Sequence, residues 1–377
     1  MRNKFIALQS LPDFSLWAKT EVKRIPFEFD LEVTARCNNA CRHCCLNLPA
    51  DDSAARRSEL SLAEISDIAG QAVALGALWC LITGGEPLLR KDFFDLYLCL
   101  KRKGLLVSVF TNACLVSEKH IRLFRQYPPR DIEVTVYGVT KETYERITRR
   151  RGSFAAFRRG LDLLLASGIK VRLKAMALRS NQAELAAIAG FCRAHTKDFF
   201  RFDPFLHLRF DGNRKRNAEI RAERLSPAAV AAVEQADEQR AAVVAKECDT
   251  LIAPHRDDEP VNCLFHCGAG HASFAVSANG LFRLCPSLWH PDCLYDLRQG
   301  TLAEAWQRLV PQVLALCSTN EQFLKKCCVC PLLDLCMWCP AHAYLEHGQM
   351  DGWCRYFCEV AHQRVAAAGG KQARVHK

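Results

Sequence analysis

Between residues 27 and 208, six short runs rich in β-branched and aromatic residues alternate with amphipathic helical stretches. The candidate strands are Phe27–Ala35, Ala77–Thr83, Leu105–Thr111, Ile132–Tyr137, Ile169–Ala177 and Phe199–His207. Helix ends between them are legible. Ser61-Leu-Ala-Glu64 is a capping box, and Gly76, Gly104 and Gly168 stand where helices terminate. Six β/α repeats demand a parallel sheet covered by helices, either open or curled into an incomplete barrel. In such folds ligands gather at the carboxyl ends of the strands. Three unusual segments follow predicted strands directly: the cysteine loop from Cys37, Gly84-Gly85-Glu86-Pro87, and Thr111-Asn112.

The loop after the first strand reads Cys37-Asn-Asn-Ala-Cys41-Arg-His-Cys44, a C-x3-C-x2-C triplet. Three ligands leave one coordination position free, whereas a closed structural metal site takes four. The chain has 21 cysteines, an odd number, and its N-terminus lacks the apolar core and small-residue cleavage site of a secretory signal. That combination favours metal-holding thiolates in a reducing compartment over a disulfide framework. No uncharged apolar stretch of 18 residues occurs, so a soluble, cytoplasmic protein is expected, with no membrane partner. The net charge of +10 is spread over Arg149–Arg151, Arg158–Arg159, Arg214–Arg216 and Arg221–Arg224. It reads first as solvated faces, and secondarily as attraction for an acidic partner.

Beyond Ser226-Pro227 an Ala-rich helix is predicted to about Lys246, with Ser as N-cap and Pro at the first helical position. Composition then shifts: 12 of the 21 cysteines lie between Cys263 and Cys358. Phe274–Val276, Ala278-Asn-Gly280 and Phe282–Cys285 read as a hairpin. The expected organisation is an N-terminal extension (1–26), a β/α barrel portion (27–225), a helical linker (226–262), a cysteine-rich domain (263–360) and a basic tail (361–377).

Taken together, the cysteine triplet and Thr83-Gly-Gly-Glu-Pro87 resemble the radical S-adenosylmethionine (SAM) superfamily. The resemblance implies a partial (β/α)6 TIM-like barrel. Cys37, Cys41 and Cys44 would hold three irons of a [4Fe–4S] cluster, with SAM chelating the fourth. Gly84, Gly85, Glu86 and Pro87 would lie beside the SAM methionine, Glu86 offering negative charge to its amino group. Thr111, Asn112 and Thr135 match positions that contact SAM in relatives, although Thr135 in a strand needs no ligand to explain it. His43 replaces the usual aromatic before the third cysteine; stacking on adenine and a solvated loop position both fit it.

Cys267-x12-Gly280-x4-Cys285, then Cys327-x2-Cys330-x5-Cys336-x2-Cys339 and Cys354, resemble a SPASM domain carrying two auxiliary [4Fe–4S] clusters. Matched residue by residue, one cluster takes Cys263, Cys267, Cys285 and Cys339. The other takes Cys327, Cys330, Cys336 and Cys354. The last spacing of the quartet is one residue short of the family's, which makes Cys328 and Cys358 rival ligands and Cys263 the least secure. Paired C-x2-C units suit zinc equally well when considered alone. The implied activity is reductive cleavage of SAM to a 5′-deoxyadenosyl radical that abstracts hydrogen from a ribosomally made peptide, leaving a crosslink, thioether or related modification. A flavodoxin- or ferredoxin-type donor would supply the electron. Only some 26 residues precede the first strand, so a separate leader-recognition protein is expected if leader recognition is used. An anaerobic sulfatase maturase is the alternative, but Pro286, followed by Ser287, stands directly after the cysteine where its catalytic Asp belongs. A zinc protein binding nucleic acid is the alternative of another class; the scattered arginines, without interleaved aromatics, speak against nucleic acid. Asp203, His207, Arg209 and Asp211, after the sixth strand, are candidates to face substrate or to be ordinary loop polars.

Overall fold

The first strand of the computed structural model, β1 (Glu28–Thr34), alternates apolar and acidic residues as EFDLEVT. Phe29, Leu31 and Val33 are buried in the main hydrophobic core, while Asp30 and Glu32 point to the opposite face. The structure describes residues 23–197, 200–252 and 262–369. The other strands of the parallel sheet are β2 (Trp79–Gly84), β3 (Leu106–Thr111), β4 (Asp131–Thr135), β5 (Val171–Met176) and β6 (Arg201–Asp203). They pair in sequence order, each parallel to its neighbour. All six predicted strands are present. The sixth is much shorter than the run suggested, because Pro204 has no N–H to continue the ladder. Phe199, residues 1–22 of the N-terminal segment and residues 370–377 of the basic tail lie outside the described residues.

Helices Leu62–Ala74, Phe93–Arg102, Glu118–Gln126, Ser153–Leu165 and Leu185–His195 fill the β/α connections. Ser61 and Glu64 form the predicted capping box, and Gly76, Gly104 and Gly168 adopt φ of 107°, 83° and 77°. The Ala-rich stretch departs from expectation. It forms two helices, Pro227–Gln235 and Glu238–Leu251, because the Asp237 side chain accepts from Arg240 N and starts a new helix. Glu234 of the first pairs with Arg364 of the helix Arg355–Ala367 at 2.7 Å, both side chains buried.

The predicted hairpin is β7 (Ser273–Val276) and β8 (Leu281–Arg283), followed by β9 (Tyr295–Asp296). Its position was not legible. β7 pairs parallel to β1, so the sheet runs β9-β8-β7-β1-β2-β3-β4-β5-β6. Register places Arg283 with Ala275 and Ala275 with Asp30, which puts Arg283 on the polar face. Its guanidinium, fully buried, reaches Glu32 at 2.7 Å and donates to Pro286 O at 2.6 Å. The two ends of the sheet come together: Phe210, after β6, stacks on Trp289, after β8, with centroids 3.7 Å apart. Arg283 lies over the other partner of that stack, 3.7 Å from the Trp289 ring centroid.

Removing one member of a buried ion pair strands the other in low dielectric and costs about 3–5 kcal/mol. Arg283→Met is therefore expected to lower the unfolding free energy by roughly that amount, and Glu32→Leu with Arg283→Met together by clearly less than twice as much. Urea unfolding of Arg283→Met, Glu32→Leu and the double variant checks this; additive losses would mean the pair is not coupled.

Candidate active site at the carboxyl ends of the strands

Past β1 the chain makes a two-residue parallel pairing, Arg36–Cys37 with Leu48–Pro49, which closes the base of the cysteine loop. Arg36 anchors it through Glu59 at 2.7 Å, both side chains buried. The loop is then held by backbone and arginine contacts from later elements. Ala40 N donates to Thr148 O (2.9 Å) and Arg42 N to Ile147 O (3.2 Å). Arg150 donates to Asn38 O, Arg209 to Asn47 O, and Arg216 to Cys41 O at 2.7 Å. Arg149 and Arg216 also pair with Glu219, and Arg224 pairs with Glu346. Several arginines of the basic runs thus work inside the molecule rather than as solvated faces.

Cys41 is buried and Cys37 and Cys44 are half-buried. Burial pushes the Cys37 thiol up to about 12 and raises Cys41 well above the ordinary thiol value, with Cys44 and Cys37 adding to the effect on Cys41. Such thiols stay protonated at neutral pH until a metal takes the place of the proton. Three soft sulfur donors on one loop suit an iron–sulfur cluster. Asn38 Nδ2, Asn39 Oδ1 and His43 Nδ1 beside them are buried without a hydrogen-bond partner. Orphaned polar atoms are rare in a finished interior, so the residues present fit a bound group here. His43 is buried, with its ring 5.1 Å from that of Tyr137. Burial, then the Arg216 charge, lowers its pKa to about 4, so it is neutral at pH 7. The solvated-loop reading of His43 does not hold.

Gly84-Gly85-Glu86-Pro87 packs on the end of β1. Gly85 N donates to Thr34 O (2.6 Å) and Glu86 N to Arg36 O (2.9 Å). A Cβ on Gly84 would lie 2.3 Å from Thr34 O, and one on Gly85 2.2 Å from Arg36 O. Both glycines are thus required by the approach of backbone to backbone. Glu86 is wholly buried, and its carboxylate accepts from Thr111 Oγ1 and Asn112 N at 2.8 Å and from Leu88 N at 3.1 Å. It pins two rim segments together, a use its position in the motif did not reveal. Asn112 Nδ2 in turn donates to Asn38 Oδ1 at 2.8 Å and lies 3.6 Å from Cys37 Sγ. Thr135 ends β4, half-buried, in register with Lys174.

The polar face of the sheet below this rim carries charges that motif reading missed. Glu133 pairs with Lys174 and, at 3.3 Å, with Arg201. Lys174 Nζ sits 3.9 Å from the Phe110 ring centroid, and burial lowers its pKa. Asp30 is raised to about 7, chiefly by burial and then by Glu28 and Glu32. The available signal was period-two charge inside strands: Asp30/Glu32, Asp131/Glu133, Arg172/Lys174 and Arg201/Asp203. Among the residues after β6, Arg209 pairs with Asp211 at 2.6 Å. His207 Nδ1 lies 2.7 Å from His342 Nε2 and 3.1 Å from Ser287 Oγ, joining the barrel to the cysteine-rich region.

In that region the thiols fall into groups that raise one another's pKa. Cys339 is pushed to about 12 by burial, with Cys285 and Cys267 adding. Cys336 reaches about 12 by burial, with Cys358, Cys327 and Cys330 adding. Cys354 is raised by burial and by Glu346, then by Cys339, Cys336 and Cys327, which sets it between the two groups. Cys358 is therefore placed with Cys327, Cys330 and Cys336, while Cys263 Sγ meets Cys317 Sγ at 3.7 Å.

A three-cysteine loop, a glycine cradle and a charged interior meet on the rim of a parallel sheet, where β/α enzymes place their cofactors. Residues 31–192 match the model of the Radical SAM superfamily, and this part of the chain is a radical SAM domain. The chain is 24% identical over 337 residues to the antilisterial bacteriocin subtilosin biosynthesis protein AlbA of Bacillus subtilis, covering 84% of this chain and 67% of AlbA. It is 26% identical over 289 residues to the PqqA peptide cyclase of Gluconobacter oxydans, covering 74% of this chain and 76% of the cyclase. The structure of SuiB from Streptococcus suis bound to S-adenosylmethionine superposes with a TM-score of 0.66 at 16% identity, over 90% of this chain and 80% of SuiB. That likeness establishes the fold. Several other curated relatives are matched over less than half of their own length.

Replacing Glu86 by Gln keeps the volume but turns one acceptor oxygen into a donor facing an N–H or a hydroxyl. The mismatch costs about 1–3 kcal/mol and loosens the rim, so SAM affinity should fall roughly tenfold or more by equilibrium binding. Unchanged affinity would remove Glu86 from the site's scaffold. Asp30 gives a second expectation. Its folded pKa exceeds its ordinary value of 3.8, so its stabilising proton is fully bound below about pH 4 and lost as pH rises through about 7. Asp30→Asn should flatten the fall in urea midpoint between about pH 5 and about pH 8; an unaltered slope would contradict the assignment.

Proposed function

We propose that this chain is a radical SAM maturase acting on a ribosomally made peptide. The observation that carries the reading is the joining of the Cys37–Cys44 loop, the Gly84–Pro87 segment and Asn112 by one buried carboxylate, Glu86, over a charged interior. Cys37, Cys41 and Cys44 would hold a [4Fe–4S] cluster with one iron left for SAM. Gly84, Gly85, Glu86, Pro87, Thr111, Asn112, Thr135 and His43 would line the SAM site. When bound, the cluster and SAM supply one-electron cleavage and hydrogen abstraction. The chain's own part is to hold the loop with Arg150, Arg209 and Arg216, to keep His43 neutral, and to exclude water with buried rim residues.

The relatives support a peptide as substrate: one is a bacteriocin biosynthesis protein, another a peptide cyclase, and SuiB has been solved bound to its precursor peptide SuiA. The cysteine-rich region would hold two auxiliary [4Fe–4S] clusters, drawing on Cys263, Cys267, Cys285 and Cys339 and on Cys327, Cys330, Cys336 and Cys354, with Cys328 and Cys358 as rivals for a place in the second. The domain limits 27–225, 226–262 and 263–360, a separate leader-recognition protein and a flavodoxin- or ferredoxin-type donor belong to the same reading. Among the described residues no helix is long and apolar enough to cross a membrane, in keeping with the proposed cytoplasmic setting. A sulfatase-maturase-like chemistry is less well supported, since Pro286, directly after Cys285, stands where that chemistry needs a carboxylate.

Anaerobically reconstituted protein is expected to hold about twelve irons, and Cys37→Ala with Cys41→Ala and Cys44→Ala to hold about eight and to lose SAM cleavage. Zinc in place of iron, or cleavage that survives the triple change, would overturn the proposal.

A further inference from the structure

The outer side of the cysteine loop carries more positive charge than the fold uses. Three segments meet there: the loop itself, the turn Arg149–Arg151, and the first turn of the helix Arg214–Glu223. Ala40 N and Arg42 N tie the loop to the carbonyls of Thr148 and Ile147, while Arg150 donates to Asn38 O and Arg216 to Cys41 O. The acids at this place are already engaged. Glu219 is shared by Arg149 and Arg216, Asp211 is taken by Arg209, and Glu145 accepts from Gly152 N at 2.8 Å. Arg42, Arg151, Arg214 and Lys215 are exposed, and their side chains make no ion pair or hydrogen bond among the described residues. Arg214-Lys215-Arg216 also opens a helix whose first turn holds no acidic residue. Positive side chains there oppose the helix dipole, whose amino end favours anions. Arg216 is accounted for by Cys41 O and Glu219; Arg214 and Lys215 are not. A local choice that works against the fold is expected where function requires it.

We propose that this face is the docking surface of an acidic one-electron carrier protein, received over the Cys37–Cys44 loop rather than over the cysteine-rich region. The inference deepens the maturase reading and rests on its iron–sulfur loop. Arg42, Arg151, Arg214 and Lys215 come from three separate segments, so they form a spread of like charge that matches a carboxylate-rich protein face and steers its approach. Arg150 and Arg216 link that face to the backbone of the loop, so a carrier seated on it is one side chain away from Asn38 O and Cys41 O. The interior beneath the rim is different in kind: its charges are of both signs and paired, as in Glu133 with Arg201 and Glu32 with Arg283. One electron leaves the carrier and one enters the metal site at each encounter, with no bond made or broken.

The test uses the iron-loaded full-length protein, titrated without oxygen with oxidised flavodoxin in a calorimeter at low and at physiological ionic strength. Arg151→Gln, Arg214→Gln and Lys215→Gln together should weaken binding about tenfold or more and flatten its salt dependence. Lys91→Gln, Lys119→Gln and Arg122→Gln remove the same charge from other exposed positions and should leave binding unchanged. If the first triple variant loses iron, Lys215→Gln alone carries the test, with a loss of about threefold. Flavodoxin that does not bind the parent chain, or binds the patch variant equally well, or is weakened equally by both sets of changes, overturns the proposal. So does a Glu-rich synthetic peptide that binds the parent as tightly as flavodoxin and is lost in the same variant, which would assign the face to a peptide segment. No readout uses SAM cleavage, and iron is measured in every sample. A chain that takes up no iron sinks the maturase reading, whereas iron-loaded protein indifferent to the patch substitutions sinks this inference alone.

Discussion

β1 is the strand on which the rest of the molecule depends. It is hydrogen-bonded along both edges, to β2 on one side and to β7 of the cysteine-rich region on the other. Its apolar side fills the core, its acidic side charges the interior, and its end launches the cysteine loop and receives Gly84 and Gly85. A strand with these obligations has little freedom of register: a one-residue slip would bring Asp30 and Glu32 into the core. The Glu32–Arg283 pair reinforces that register from a hairpin 251 residues away in sequence. The cysteine-rich region is thereby part of the sheet rather than an appendage, which places its thiols at a fixed distance from the rim.

The electrostatics follow from this arrangement. Charges of both signs line the polar face and largely neutralise one another, through Glu133 with Lys174 and Arg201, and Glu32 with Arg283. Buried ion pairs contribute little net stability against apolar replacements of the same shape. Together with the raised Asp30 and the depressed Lys174, they keep the face beneath the rim polar and charged. The cysteine loop shows the complementary logic. Burial keeps the Cys37 and Cys41 thiols protonated on their own, so metal binding there would be linked to loop order.

Much of this was legible in the sequence because local signals were strong. Period-two apolar runs marked the strands, Ser61 and Glu64 marked a helix start, and the cysteine triplet stood where the fold places ligands. What was hidden depends on long-range partners. Nothing within the hairpin says that β7 will pair with β1, or that Arg283 will find Glu32. Glu86 was read as a partner for a cationic amino group, and Thr111 and Asn112, some 25 residues on, give it a structural task as well. Cys263 was grouped by spacing with Cys267, whereas the fold brings it against Cys317. Spacing along the chain gathers candidate ligands only when one short loop supplies them, as for Cys37, Cys41 and Cys44.

The central claim is that this three-cysteine loop leaves one metal position for SAM. Electron paramagnetic resonance of the reduced, reconstituted protein with and without SAM tests it directly. The account predicts that the signal of one [4Fe–4S]+ cluster changes when SAM is added while the signals from the C-terminal cysteines do not. A spectrum identical with and without SAM would contradict it.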